Sequence, residues 1–183
     1  EGMVAALEAD AALEAGNFLA AIGHLDAALA ADGPNAHYLV SRGQARYHLG
    51  DHTLAIVDYE HALALKPDYA DLYFEKGKAE LRAQKYADAE DSFTRDLAVG
   101  EPSPISYFNR HVARKSQGNI GGALADLDAA LAQLPDSPQL RLARLDLRWQ
   151  DGNLEGAMAD ANLAVAAQAD DTELRDRRAR LAF

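Results

Sequence analysis

The feature that most constrains this chain is a spacing. Ala21, Ala55, Ala89, Ala123 and Ala157 follow one another at intervals of 34 residues with no insertion. Seven positions after each comes Ala28, Ala62, Asp96, Ala130 or Ala164, followed at once by Leu29, Leu63, Leu97, Leu131 or Val165. Five positions before each lies Gly16, Gly50, Gln84, Gly118 or Gly152. Five copies in one register mark an internal repeat. A period of this length implies a small supersecondary unit that buries its apolar side only by stacking on its neighbours.

Each copy reads as two helices. In "YADAEDSFTRDLAV" the residues Tyr86, Ala89, Phe93 and Leu97 lie at i, i+3, i+7 and i+11, a single helical stripe. The stretches "LGD", "QGN" and "DGN" supply a glycine that ends one helix and an Asp or Asn that starts the next. Pro67, Pro102 and Pro135 close the second helix of a pair. Helix A, a turn and helix B of about 14 residues each therefore fill one repeat. Alanine is the commonest residue and only 7% of the chain is aromatic, which favours helix over sheet.

The pattern resembles the tetratricopeptide repeat: a small residue within helix A, a glycine turn, then an alanine, an aromatic, Ala-Leu and a closing proline. Gly43 and Gly77 match the helix A glycine, Tyr59 and Phe93 the helix B aromatic, Phe18 and Tyr86 the aromatic that opens helix B, and Pro67 and Pro135 the closing proline. Repeats one and five lack the glycine and the proline, and Asp96 stands where an alanine is expected. The resemblance implies an all-α, right-handed α-solenoid. Its repeats would span 2–35, 36–69, 70–103, 104–137 and 138–171, in a single array 1–183 whose residues 172–183 form a capping helix with arginines toward solvent.

Charged residues follow the same register. Arg42, Arg46 and Asp58 recur as Arg110, Arg114, Asp126 and as Arg144, Arg148, Asp160, whereas repeats one and three lack both the arginine pair and the Asp. Residues that come and go together predict an ion pair from helix A to helix B, the arginine fork matching a carboxylate. At a partly exposed seam each pair would contribute ~0.2–1 kcal/mol. A basic stripe for an acidic ligand is the rival reading.

Enzymatic and metal readings find little to stand on. His48 and His52 have a metal-like spacing, but Gly50 and Asp51 between them form the turn that ends helix A and separate the two rings. There is no cysteine, no glycine-rich phosphate loop and no Gly-x-Ser-x-Gly or His-Glu-x-x-His pattern. The expectation is a non-enzymatic protein with no catalytic residue, no metal and no cofactor.

What remains is a partner. The 18 basic and 29 acidic residues give a net charge of -11, which repels phosphate backbones and argues against nucleic acid. No stretch approaches the length of a membrane span. The resemblance implies that helix A slots line a concave groove holding a peptide of a partner protein. Carried over residue by residue, those slots are Val40, Gln44 and Tyr47 in repeat two and Phe74, Lys78 and Arg82 in repeat three. Repeat four supplies Phe108, Val112 and Lys115 with Asn109 alongside, and repeat five Leu142 and Trp149. Large aromatic side chains act as binding anchors, or pack between neighbouring A helices. Lys78, Arg82 and Lys115 would draw an acidic residue or a carboxylate.

Relatives of this class that clamp a C-terminal carboxylate place Lys and Asn in one repeat, Asn in the next, and Lys and Arg in a third. Here the best frame, Phe74, Lys78, Asn109, Gln139 and Ala143, keeps no more than two of those five, so a chaperone carboxylate clamp is not expected. The alternative to a peptide-binding scaffold is a self-assembling module that forms homo-oligomers through repeat ends or the convex face. The chain opens at Glu1 and reads as helix by Met3, so an excerpt with something upstream is expected, and both bacterial cytoplasm and periplasm stay open.

Overall fold

The computed structural model describes residues 1–69, 71–167 and 178–179. Among the described residues there are helices and no strands. They form two compact units, Glu1–Gly100 and Glu101–Phe183.

The first unit contains α1 (Gly2–Glu14), α2 (Phe18–Asp32), α3 (Ala36–Leu49), α4 (His52–Leu65), α5 (Leu72–Arg82) and α6 (Tyr86–Val99). The second contains α7 (Pro104–Ser116), α8 (Ile120–Gln133), α9 (Pro138–Gln150) and α10 (Leu154–Ala167). Odd-numbered helices are the A helices and even-numbered ones the B helices. Within each unit every helix packs on the one before it and the one after it, as a chain of short-range repeats must. The fold class expected from the sequence is present. The expected capping helix lies outside the described residues except for Arg178 and Ala179, which are helical.

Local chemistry explains the boundaries. Asn17, Asn119 and Asn153 accept hydrogen bonds from the amides of Ala20, Gly122 and Gly156 and so cap three B helices. Asp51, in the same slot, makes no side-chain cap bond. Ser103 and Ser137 cap α7 and α9, each followed by a proline in the first turn. The A-to-B turn takes a left-handed residue at the same slot in all five copies: Gly16, Gly50, Gly118 and Gly152 at φ of 70° to 88°, and Gln84 at 59°. Only Gln84 pays the Cβ penalty there.

Packing inside a pair trades size across one slot. A Cβ on Gly43 would stand 2.5 Å from the Tyr59 ring, and one on Gly77 2.8 Å from the Phe93 ring. Where the slot is not glycine, its helix B partner shrinks: Ala9 goes with Leu25, His111 with Leu127, Leu145 with Ala161, all buried. The glycine missing from repeats one and five is thus compensated opposite. The Tyr59 hydroxyl is buried with no hydrogen-bond partner among the described residues, and burial pushes its ionisation well above the ordinary value.

Candidate functional site

The charged slots come first, because they decide what is left for a ligand. Arg42 of α3 donates through Nε and Nη2 to both oxygens of Asp58 on α4, at 3.1 and 2.7 Å, and Arg46 Nη1 adds a third bond at 2.6 Å. Arg42 Nη1 also reaches Asp26 on α2 at 2.6 Å. In the second unit Asp126 binds Arg110 and Arg114, Asp160 binds Arg144 and Arg148, and Arg144 reaches Asp128 at 2.6 Å. The predicted ion pairs therefore exist, both within and between repeats. Their setting differs from the one expected: Asp58, Asp126 and Asp160 are buried. Breaking such a pair strands half-buried arginines and costs far more than a surface bridge. The basic-stripe reading fails for these arginines, whose forks are occupied.

The two repeats without the triad keep a polar contact at the same slots. In repeat one, His24 sits 3.2 Å from Glu8. In repeat three the carboxylate has moved to helix A: buried Glu80 receives Lys76 at 2.6 Å and the Ser92 hydroxyl at 2.6 Å. Burial raises the Glu80 carboxyl above its ordinary value, and the bonds from Lys76 and Ser92 pull the other way.

The helix A positions named from the sequence sort differently in the two units. In the first, Lys78 Nζ lies 5.4 Å from the Tyr47 ring centre and 5.3 Å from that of Phe74, a cation–π bridge between α3 and α5. Glu75 also holds it at 2.8 and 2.9 Å. Phe74 meets the core through an edge contact with Phe93, centroids 5.9 Å apart. Tyr47, Phe74 and Lys78 are thus brought together and satisfied internally. Val40 and Gln44 line a depression of about 360 Å³ beside them, with His37, Tyr69, Asp71, Leu72 and Glu75. Arg82 is exposed in the last turn of α5, where a cation suits the helix dipole.

In the second unit Phe108 lines an apolar depression of about 310 Å³ with Pro104, Ile105, Leu134, Ser137, Gln139 and Leu140. Asn109 turns back on its own helix, donating to the Ile105 carbonyl at 2.8 Å. Phe108 also lies 4.6 Å from the His111 ring, whose Nδ1 approaches the Phe108 carbonyl. Burial pushes His111 below its ordinary value. Val112 and Leu142 are half-buried, while Lys115 and Trp149 are exposed.

The two depressions are the same place two repeats apart. His37, Val40, Tyr69, Asp71 and Leu72 of one occupy the slots of Ile105, Phe108, Ser137, Gln139 and Leu140 of the other. The first is polar and acidic, the second apolar. The slots named from sequence did not include Tyr69, Leu134, Ser137 or Leu140, which come from the B-to-A connection and the start of the next helix. Their recurrence at the repeat spacing was the available signal.

Both rings of the histidine pair lie beside Tyr47. His48 stacks on Phe18 with centroids 4.6 Å apart, and His52 faces Tyr47 across 5.2 Å. Among the described residues no group of three His, Asp or Glu side chains is placed to hold a metal ion. None of the helices described is long and apolar enough to cross a membrane.

A helix–turn–helix repeat with this register, these turns and these size-matched pairs defines a class of helical-repeat protein. The model of the tetratricopeptide repeat matches residues 7–68, 58–102 and 112–172, and the chain belongs to that family. It is 34% identical over 99 residues to tetratricopeptide repeat protein 28 of Mus musculus, a match covering 54% of this chain and 4% of that protein. Against human tetratricopeptide repeat protein 16 it is 30% identical over 115 residues, covering 59% of this chain and 13% of that one. The chain therefore spans a small part of the curated relatives it matches.

Among solved structures it superposes on MamA with a TM-score of 0.86 at 18% identity, over 94% of each chain. MamA from Desulfovibrio magneticus gives 0.86 at 15%, over 93% of this chain and 97% of that one. A tetratricopeptide repeat protein from Parabacteroides merdae gives 0.72 at 23%, over 98% and 70%. These likenesses are of fold. The repeat fold generally serves protein–protein interaction.

Proposed function

We propose that the chain is a non-enzymatic scaffold whose A-helix faces bind a peptide segment of a partner protein. One observation carries the reading: each unit leaves a solvent-open depression at the same helix A slots, and the two differ in chemistry. Slots kept open but re-lined between copies suit recognition of an uneven ligand, since packing alone would keep them alike. The binding set is Val40, Gln44, Tyr47, Phe74, Lys78 and Arg82 in the first unit, and Phe108, Asn109, Val112, Lys115, Leu142 and Trp149 in the second.

The test compares affinity capture by three forms of the chain. One carries Gln44→Ala, Arg82→Glu, Lys115→Glu and Trp149→Ala, all exposed A-helix positions. Another carries Leu54→Ser and Leu163→Ser, both exposed on B helices. Loss of a captured protein by the first variant alone supports the reading. Loss by the second alone overturns it.

A second reading, self-association, has its own observation. Met3 and Leu7 of α1 are 71% and 65% exposed, as is neighbouring Val4; Leu72 and Leu140, in the slot of Val4, are buried. Mass measured against concentration, with and without Leu7→Ser, separates it from the first reading.

A further inference from the structure

We infer that the depression between α7 and α9 is an anchor pocket for one bulky apolar side chain of a peptide that also carries an acidic residue, which pairs with Lys115. The inference rests on the scaffold reading above and assigns the ligand chemistry of one segment of it.

The lining comes first. Ile105 and Leu134, 57% and 50% exposed, form the rim, and Phe108 and Leu140 form the wall. Among the described residues no charged side chain lines it. Its polar members are Ser137 and Gln139: the Ser137 hydroxyl accepts the Leu140 amide and donates to Gln139 Oε1, and the Gln139 side chain is exposed. The rest of the lining is apolar, so an apolar side chain gains by burial there. In the first unit Asp71 stands in the slot of Gln139, and Glu75 joins the lining, so the apolar character is a property of this copy rather than of the repeat.

Charge supplies the second half. Ile105, Phe108, Val112 and Lys115 fall on one stripe of α7. Between residues 101 and 167 the chain has six basic residues. Arg110 and Arg114 are held by Asp126, and Arg144 and Arg148 by Asp160. Arg141 is held by Asp136 and the Pro135 carbonyl. Lys115 is the sixth: it is exposed and makes no ion pair among the described residues. It lies seven residues beyond Phe108, about 10 Å along the helix. An extended peptide covers that distance in about three residues. The occupant is therefore a segment with a Leu, Ile, Met or Phe and, about three positions away, an Asp or Glu.

The probe is a fluorescein-labelled peptide Ala-Ala-Leu-Ala-Ala-Glu-Ala, titrated with the full chain and read by anisotropy. Changing its Leu to Ala should weaken binding about tenfold or more. On the protein, Ile105→Ser and Lys115→Glu alter exposed side chains, and an unchanged melting midpoint shows that each variant is folded. Ile105→Ser should weaken the Leu peptide several-fold and leave the Ala peptide unaffected. Lys115→Glu should weaken the Glu peptide, and the effect should vanish when the peptide carries Gln instead. Indifference of the affinity to the peptide's Leu, or to Ile105→Ser, overturns the pocket; equal loss with Glu and Gln peptides overturns the pairing.

The scaffold reading fails separately. If partner capture is lost with Gln44→Ala and Arg82→Glu yet survives Ile105→Ser and Lys115→Glu, the chain is a scaffold and this pocket is not its anchor. If capture is indifferent to every A-helix substitution, the scaffold reading itself is wrong.

Discussion

Repeats two and three stand side by side in the first unit and solve one problem differently. In α3–α4 the buried charge is Asp58 on helix B, held by three bonds from two arginines of helix A. In α5–α6 it is Glu80 on helix A, and the link to helix B is the Ser92 hydroxyl, with Lys76 only 3.4 Å from the same oxygen. The first arrangement ties two helices together with charge-assisted bonds; the second satisfies a carboxylate mostly within its own helix. Repeat three also bears Gln84 at the A-to-B turn slot that is glycine in the other four copies. A repeat can thus keep its fold while exchanging three arginine–carboxylate bonds between its helices for one hydroxyl–carboxylate bond, because the packing of Gly77 under Phe93 is retained.

The sharpest way to break this comparison is to neutralise each carboxylate. Asp58→Asn removes the charge on which two of Arg42's three bonds and the Arg46 bond converge, and should cost about 3–5 kcal/mol in urea unfolding. Glu80→Gln should cost about 1 kcal/mol or less, because the amide can still accept from Ser92 and burial already opposes the charged form. Equal losses would show that the two networks are equivalent after all.

Acid dependence adds a signature. With its folded value raised above the ordinary 4.5, Glu80 holds its proton more tightly in the folded chain. Its contribution to stability is therefore fully present below 4.5 and is lost as pH rises through the raised folded value. Glu80→Gln should flatten that slope.

Packing should not distinguish the two repeats. Gly43→Ala and Gly77→Ala each drive a methyl into an aromatic ring and should each cost about 1–3 kcal/mol. Tyr59→Leu placed with Gly43→Ala recreates the Ala9 and Leu25 pairing of repeat one and should recover part of the loss, read as a coupling in a double-mutant cycle. Additive losses would mean that the size trade between slots is coincidental.

These contrasts also show what the sequence could and could not tell. The register was legible because five copies repeat it, and the Asp–Arg pairs were legible because their members come and go together. Burial was not: nothing in the identities of Arg42 and Asp58 says that neighbouring helices close over the carboxylate. Glu80 escaped because it lies at a slot where other copies hold Arg or Ala, so comparison of copies reads it as a missing triad. Lys78 looked like a ligand-ready cation, yet Glu75 lies three residues away on the same helix, a spacing that brings side chains together. The apolar depression of the second unit was half legible. Phe108 follows from the helix A slots, but Leu134 and Ser137 come from a connection whose course is set only when α8 and α9 pack.

The smallest expected effect concerns the turn. A side chain at left-handed φ costs roughly 1–2 kcal/mol, and glycine gives back part of that through its freer unfolded chain. Gln84→Gly should therefore stabilise repeat three by about 0.5–1 kcal/mol, while Gly50→Gln should weaken repeat two by a similar amount. Amide exchange at Lys85, which donates to the Glu80 carbonyl at 2.8 Å, and at Asp51, which donates to Arg46 at 2.9 Å, reads the two turns separately. A slower Lys85 after Gln84→Gly would show that the turn backbone, and not the polar network alone, sets repeat three apart from repeat two. No change would leave the whole difference with the charge, so that placing Asp at position 92 and Arg at 76 and 80 should by itself make repeat three behave like repeat two.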